Sequence, residues 1–139
     1  MRAIVLATLV LCPAAVAHAQ SKFDAQVKNS FLALSAFECS IVSTDPKENE
    51  RLFALGLSAG RQFLQFAQSV EDAHGKVLAQ KIAVLWNLKP GPTPDFVLGR
   101  IYDGFTVEIY RDYATMDQKQ FDMKRDALYR TKNCALLGK

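Results

Sequence analysis

Histidine, cysteine and tryptophan are scarce in this chain: two, three and one residue respectively. That scarcity excludes a good deal of chemistry. A closed zinc site needs several nitrogen, sulfur or carboxylate ligands at a recognisable spacing, and His74 with Cys39 and Cys134 does not supply one. The sequence also lacks CxxC, HExxH and a phosphate-cradling glycine loop. It therefore points to no metal and no cofactor. An excess of one charge is missing too. Lys and Arg number 17 against 14 Asp and Glu, well interspersed, so no basic stripe marks a nucleic-acid-binding face. Beyond residue 19 there is no further long apolar run, and no stable membrane insertion is expected of residues 20–139. Low-complexity tracts, linkers and periodic repeats are also lacking.

What is present begins at the first residue. Met1-Arg2 is a short positive start, Ala3 to Cys12 is an apolar run, and Ala17-His18-Ala19 is a small-x-small site ahead of Gln20. That order reads as a secretory signal peptide over residues 1–19, its apolar run too short to cross a bilayer. Leu9-Val10-Leu11-Cys12 superficially resembles a lipoprotein processing site, the minority reading, since bulky Leu11 stands where such sites want a small residue and a better small-residue site follows. Residues 20–139 remain as a single helical domain, large enough for a hydrophobic core. They keep Cys39 and Cys134, an even pair that in an oxidising compartment implies one disulfide. The expected location is outside the cytoplasm, periplasmic or extracellular.

Periodicity is helical nearly throughout. Ser21 with Asp24 predicts a capping box, and Phe23, Val27, Phe31, Leu34 and Ile41 form one apolar face running to Val42. Asp45, Pro46 and Glu48 open a second helix, whose buried face is Leu52, Gly56, Ala59, Phe63, Ala67 and Val70. His74-Gly75 predicts a helix end, followed by a shorter helix over 76–88. Lys89-Pro90-Gly91-Pro92-Thr93-Pro94 is a stiff turn, after which Thr93 caps a helix with Pro94 in its first turn. Phe105 to Arg111 alternates as a strand would, yet also extends the helical face of Leu98, Tyr102, Phe105, Ile109 and Tyr113. Thr115 and Gln118 predict a last capping box, opening a helix through Lys132. The fold class expected is all-α, a compact bundle of four or five helices with one disulfide.

Gly56-Leu57-Ser58-Ala59-Gly60 matches the G-x-S-x-G elbow of esterases. That serine needs a strand-to-helix turn, an oxyanion hole and a histidine. Here it falls in mid-helix, where small residues at 56, 59 and 60 instead let another helix approach. His74 reads as a surface residue at a helix end.

Glu38 lies in the apolar row of the first helix, and a carboxylate there is costly to bury unless paired. Arg61 and Arg100, each following a glycine and flanked by aromatics, are the candidate partners, in a buried ion pair or in a cleft. Around the proline turn, Trp86, Asp95, Tyr102 and Asp103 form a candidate binding edge, because rigid turns display side chains at little entropic cost. Arg100 and Asp103 are spaced as an i,i+3 pair.

No residue is assigned a catalytic role. The leading expectation is a small, exported, non-catalytic binding protein acting through a protein partner, immunity- or inhibitor-like. A self-complementary face, making a homo-oligomer, is the other form such a surface takes. One alternative is a small-ligand carrier with an aromatic-lined cavity between helices. Another is a cell-envelope hydrolase using carboxylates such as Glu38, Asp103 or Glu108. In size and class, though in no motif, the plan is similar to that of periplasmic immunity proteins that neutralise secreted amidase toxins.

Overall fold

Capping chemistry and apolar spacing together build an all-α molecule. The computed structural model describes residues 13–111 and 113–139, with side chains from Gln20 onward other than that of residue 114. The apolar run Ala3–Cys12 of the expected signal lies outside the described residues. Six helices follow one another: α1 (Pro13–Val42), α2 (Pro46–Ser69), α3 (Asp72–Lys81), the single turn α4 (Leu85–Leu88), α5 (Pro94–Tyr110) and α6 (Gln118–Thr131). Short 3-10 turns occupy Tyr113–Thr115 and Cys134–Leu136. Among the described residues there is no strand, and Phe105 to Tyr110 are helical.

The long helices α1 and α2 form the central pair, with α5 packed against both. Gly56 and Gly60 permit this approach. A Cβ at Gly56 would lie 2.7 Å from the Phe37 ring, and one at Gly60 would collide with Leu98 of α5. The main core gathers Leu34, Phe37, Phe63, Leu78, Trp86, Leu98 and Ile101. A second, smaller core surrounds Val42, Leu52 and the Cys39–Cys134 disulfide, which links residues 95 apart in sequence. Asn133 takes the left-handed conformation (φ 53°) that turns the chain from α6 into Cys134. Asparagine is among the few non-glycine residues that enter that region readily.

Several local expectations are corrected. With residues 13–19 attached, Ser21 is not a cap: α1 is continuous from Pro13, carried through alanines that are the best helix formers. Asp45 does cap α2, accepting from Lys47 N at 3.0 Å, but Glu48 turns away to Arg51 and Tyr129. The chain leaves α2 at Val70 in an extended conformation, so His74 and Gly75 belong to the first turn of α3 rather than to a helix end. The expected 76–88 helix is broken at Ile82, which is extended, and the break lets Trp86 reach Phe63. The box before α6 is built by Asp117 and Gln120, two residues after the predicted pair, because Tyr113–Thr115 is used by a 3-10 turn. Thr93 and Pro94 act as expected, Thr93 Oγ1 accepting from Phe96 N at 3.2 Å.

Candidate functional site

The buried triad read from the sequence does not assemble. Glu38 accepts from Lys132 Nζ at 3.0 Å in a half-exposed pair. The physical reason lies one residue on. Cys39 is bonded to Cys134, which draws the end of α6, and Lys132 with it, onto this side of α1. Arg61 instead grips Asp95 with two bonds, Nε to Oδ1 at 2.7 Å and Nη2 to Oδ2 at 3.1 Å. Helical phase explains this: Gly60 is the residue turned into α5, so its neighbour Arg61, about 100° round the helix, points outward. Arg100 donates to the carbonyl of Pro90 at 2.6 Å, and not to Asp103 in the expected i,i+3 pair.

These bonds converge on the proline turn. The turn is tied to α5 by Arg100, and the first turn of α5 is tied to α2 by Arg61–Asp95. Hydrogen bonding from Arg61 lowers the Asp95 pKa, and the same bond raises that of Arg61. Asp95 also sits where a carboxylate suits the helix dipole. Between them projects Phe96, 51 % exposed, with the Arg100 guanidinium 5.9 Å from its ring centre and the Gly91 backbone close against its edge. Any side chain at Gly91 would displace that ring. Leu88, which closes α4 just before the turn, is 65 % exposed.

Of the candidate edge, Asp95 and Asp103 are exposed, while Trp86 and Tyr102 are turned inward. Trp86 is only 7 % exposed and packs on Phe63 with ring centres 4.7 Å apart; it is a core plug beneath the turn and not a contact residue. Its indole Nε1 is buried without a hydrogen-bond partner. Tyr102 packs edge-on against Phe37 and Phe53. The residues that do project, Phe96 and Leu88, lie next to those chosen from the sequence. For Phe96 the signal is the apolar side chain left over once Val97, Leu98 and Ile101 have filled the buried face of α5.

Carboxylate chemistry finds little support in this geometry. Asp103 and Glu108 are exposed on α5 and five residues apart, hence on different faces. Glu48 is the carboxylate with the strongest partners. Its pKa falls to about 2, held there first by the Arg51 guanidinium at 2.7 Å and also by the Tyr129 hydroxyl at 2.8 Å. A general acid needs the opposite displacement. Arg51 also donates to Leu137 O at 2.9 Å, so this cluster anchors the C-terminal turn. Arg125 plays a similar part for α1, donating to Ile41 O at 3.0 Å and Ser43 O at 2.5 Å. Ser58 lies exposed in mid-α2, 3.4 Å from Gln62 Nε2, with no strand leading into it. Among the described residues, no three His, Cys, Asp or Glu side chains come together as metal ligands. Nor, among them, is any helix long and apolar enough to cross a membrane.

No protein-family model, curated protein or solved structure matches this chain. The class defined by fold and geometry is a disulfide-linked helical bundle with a braced, aromatic-tipped turn.

Proposed function

We propose that this is an exported, non-catalytic binding protein that engages a protein partner through the Phe96–Arg100 edge of its proline turn. The observation that carries this reading is the half-exposed Phe96 ring, fixed between Gly91 and Arg100 on a turn containing three prolines. Aromatic and arginine side chains dominate binding energy at protein interfaces. A turn already ordered before contact loses little entropy when it docks. Leu88, just before the turn, offers a second exposed apolar side chain, and Asp95 and Asp103 are exposed polar groups on α5. An immunity- or inhibitor-like protein needs such a preformed projection. Support for export comes from the signal-like order of residues 1–19 in the sequence and from a disulfide of the kind that persists in oxidising compartments.

The test is photo-crosslinking in the native cell envelope, with benzoylphenylalanine placed at Phe96, at Leu88, and at Glu50 on α2 as a control. The expected result is one discrete protein adduct from positions 96 and 88 and none from 50. Equal labelling from all three positions, or an adduct from 50 alone, contradicts the reading.

A further inference from the structure

We infer that a second site, between the start of α1, the end of α2 and α3, binds a small amphiphilic monoanion: one ring or one short chain ending in a carboxylate. This goes beyond the protein-binding reading and involves other residues. The cleft there has a volume of about 400 Å³, toward the small end of ligand pockets, which run to roughly 1,000 Å³. A single chain or ring suits that size, and a two-chain lipid does not.

The lining explains the rest. Phe23 and Phe66 meet edge to face, ring centres 6.0 Å apart, and with Val70 and Val77 make an apolar floor. Val77 is 45 % exposed, although α3 buries Leu78 beside it. Lys22, Lys81 and His74 border the floor, and among the described residues no carboxylate lines it. Lys81 Nζ lies 5.4 Å from the centre of the Phe23 ring, which places its charge at the edge of the apolar floor. Acidic residues close in sequence to the lining stand outside it. Asp24 accepts from Gln20 at 3.3 Å, while Glu71 and Asp72 are exposed at the start of α3, outside the lining. Apolar floor and cationic rim together select a ligand that is apolar at one end and anionic at the other. The larger hollow along α6, about 700 Å³, mixes Lys119 and Arg125 with Asp122 and Asp126 and selects neither charge.

Isothermal titration calorimetry of the purified protein tests this with decanoate below its micelle concentration, beside methyl decanoate and decylamine. The expected result is a single saturable site for decanoate, with both uncharged and cationic analogues weaker by roughly tenfold or more. Lys81→Gln and Lys22→Gln, both on exposed side chains, should each weaken decanoate severalfold, and Val77→Trp should abolish binding by filling the floor. Should Val77→Trp lose helicity by circular dichroism, the two lysine variants decide the matter. No saturable heat with decanoate at either about 10 or about 35 °C, equal affinity for decylamine, or unchanged binding in both lysine variants overturns the proposal, two temperatures being needed because apolar burial can be athermal at one. So does association with anionic phospholipid vesicles in the absence of decanoate binding, which would make this a membrane-facing surface.

Discussion

Gly60 and Gly99 are both followed by arginine, both lie inside helices, and have opposite consequences. A Cβ at Gly60 would meet Leu98, whereas one at Gly99 would meet nothing within 4 Å. Gly60→Ala should therefore cost about 1–3 kcal/mol through overpacking. Gly99→Ala should stabilise by about 0.5–1 kcal/mol through helix propensity and reduced freedom of the unfolded chain. Thermal or urea unfolding of the two variants checks both signs. Glu38 offers a second test at this scale. Its pair with Lys132 leaves the two side chains 28 % and 38 % exposed. A double-mutant cycle on Glu38→Gln and Lys132→Met should return a coupling of about 0.2–1 kcal/mol. A buried pair would return several. Ser58 should be dispensable: Ser58→Ala should unfold as the parent does, and a fluorophosphonate probe should label neither protein.

At the scale of the helix, what was legible in the sequence was whatever rests on local chemistry. Asp45-Pro46 and Thr93-Pro94 open α2 and α5 where their caps predict, and the buried positions 52, 56, 59 and 63 of α2 follow from spacing alone. The breaks at Val70 and Ile82 were not legible, because neither carries a proline or glycine. They are imposed by packing, which needs both Leu78 and Trp86 against the core. The same limit governs the site. Spacing identified Arg61, Arg100 and Glu38 as unusual, but a shift of one position round a helix changes the partner. Phase against neighbouring helices is a tertiary property.

Glu48 joins α2 to α6 through Tyr129, and its partner Arg51 reaches the C-terminal turn, which gives this scale its own prediction. Its ordinary pKa of 4.5 falls to about 2 in the folded chain. The folded state thus binds this proton less readily than the unfolded state does. The stability it contributes is present above about pH 4.5 and drains away as pH falls toward 2. The loss should be on the order of 1–3 kcal/mol, reduced because Arg51 is partly exposed. Urea unfolding at pH 7, 4 and 3 should show Glu48→Gln losing its deficit relative to the parent as pH falls. A constant deficit would mean that the Arg51 and Tyr129 bonds do not control its ionisation.

For the whole molecule, the Cys39–Cys134 bond closes most of the chain into one loop. In the chain-entropy model a loop near that length contributes about 4–5 kcal/mol, a large share of the roughly 5–15 kcal/mol available to a typical domain. Reduction should lower the unfolding midpoint sharply, and it should free the C-terminal turn first, since Arg51–Leu137 ties that turn to α2 while Glu38–Lys132 and Glu48–Tyr129 hold only the end of α6 before it. Hydrogen exchange of the reduced protein should show early exchange at residues 128–139 while α1, α2 and α5 stay protected. The proline-turn edge lies on α4 and α5, outside the elements the disulfide joins, so partner binding should survive mild reduction.

The central claim is that Phe96 is the contact through which this protein acts. Its most direct test is the affinity of Phe96→Ala for the partner recovered by crosslinking at that position. Because the ring is half in solvent, the variant should keep its helicity and its unfolding midpoint. Loss of an aromatic anchor at the centre of an interface costs about 2 kcal/mol or more, so the variant should bind roughly thirtyfold more weakly. Binding within twofold of the parent, by a folded Phe96→Ala protein, would contradict the account.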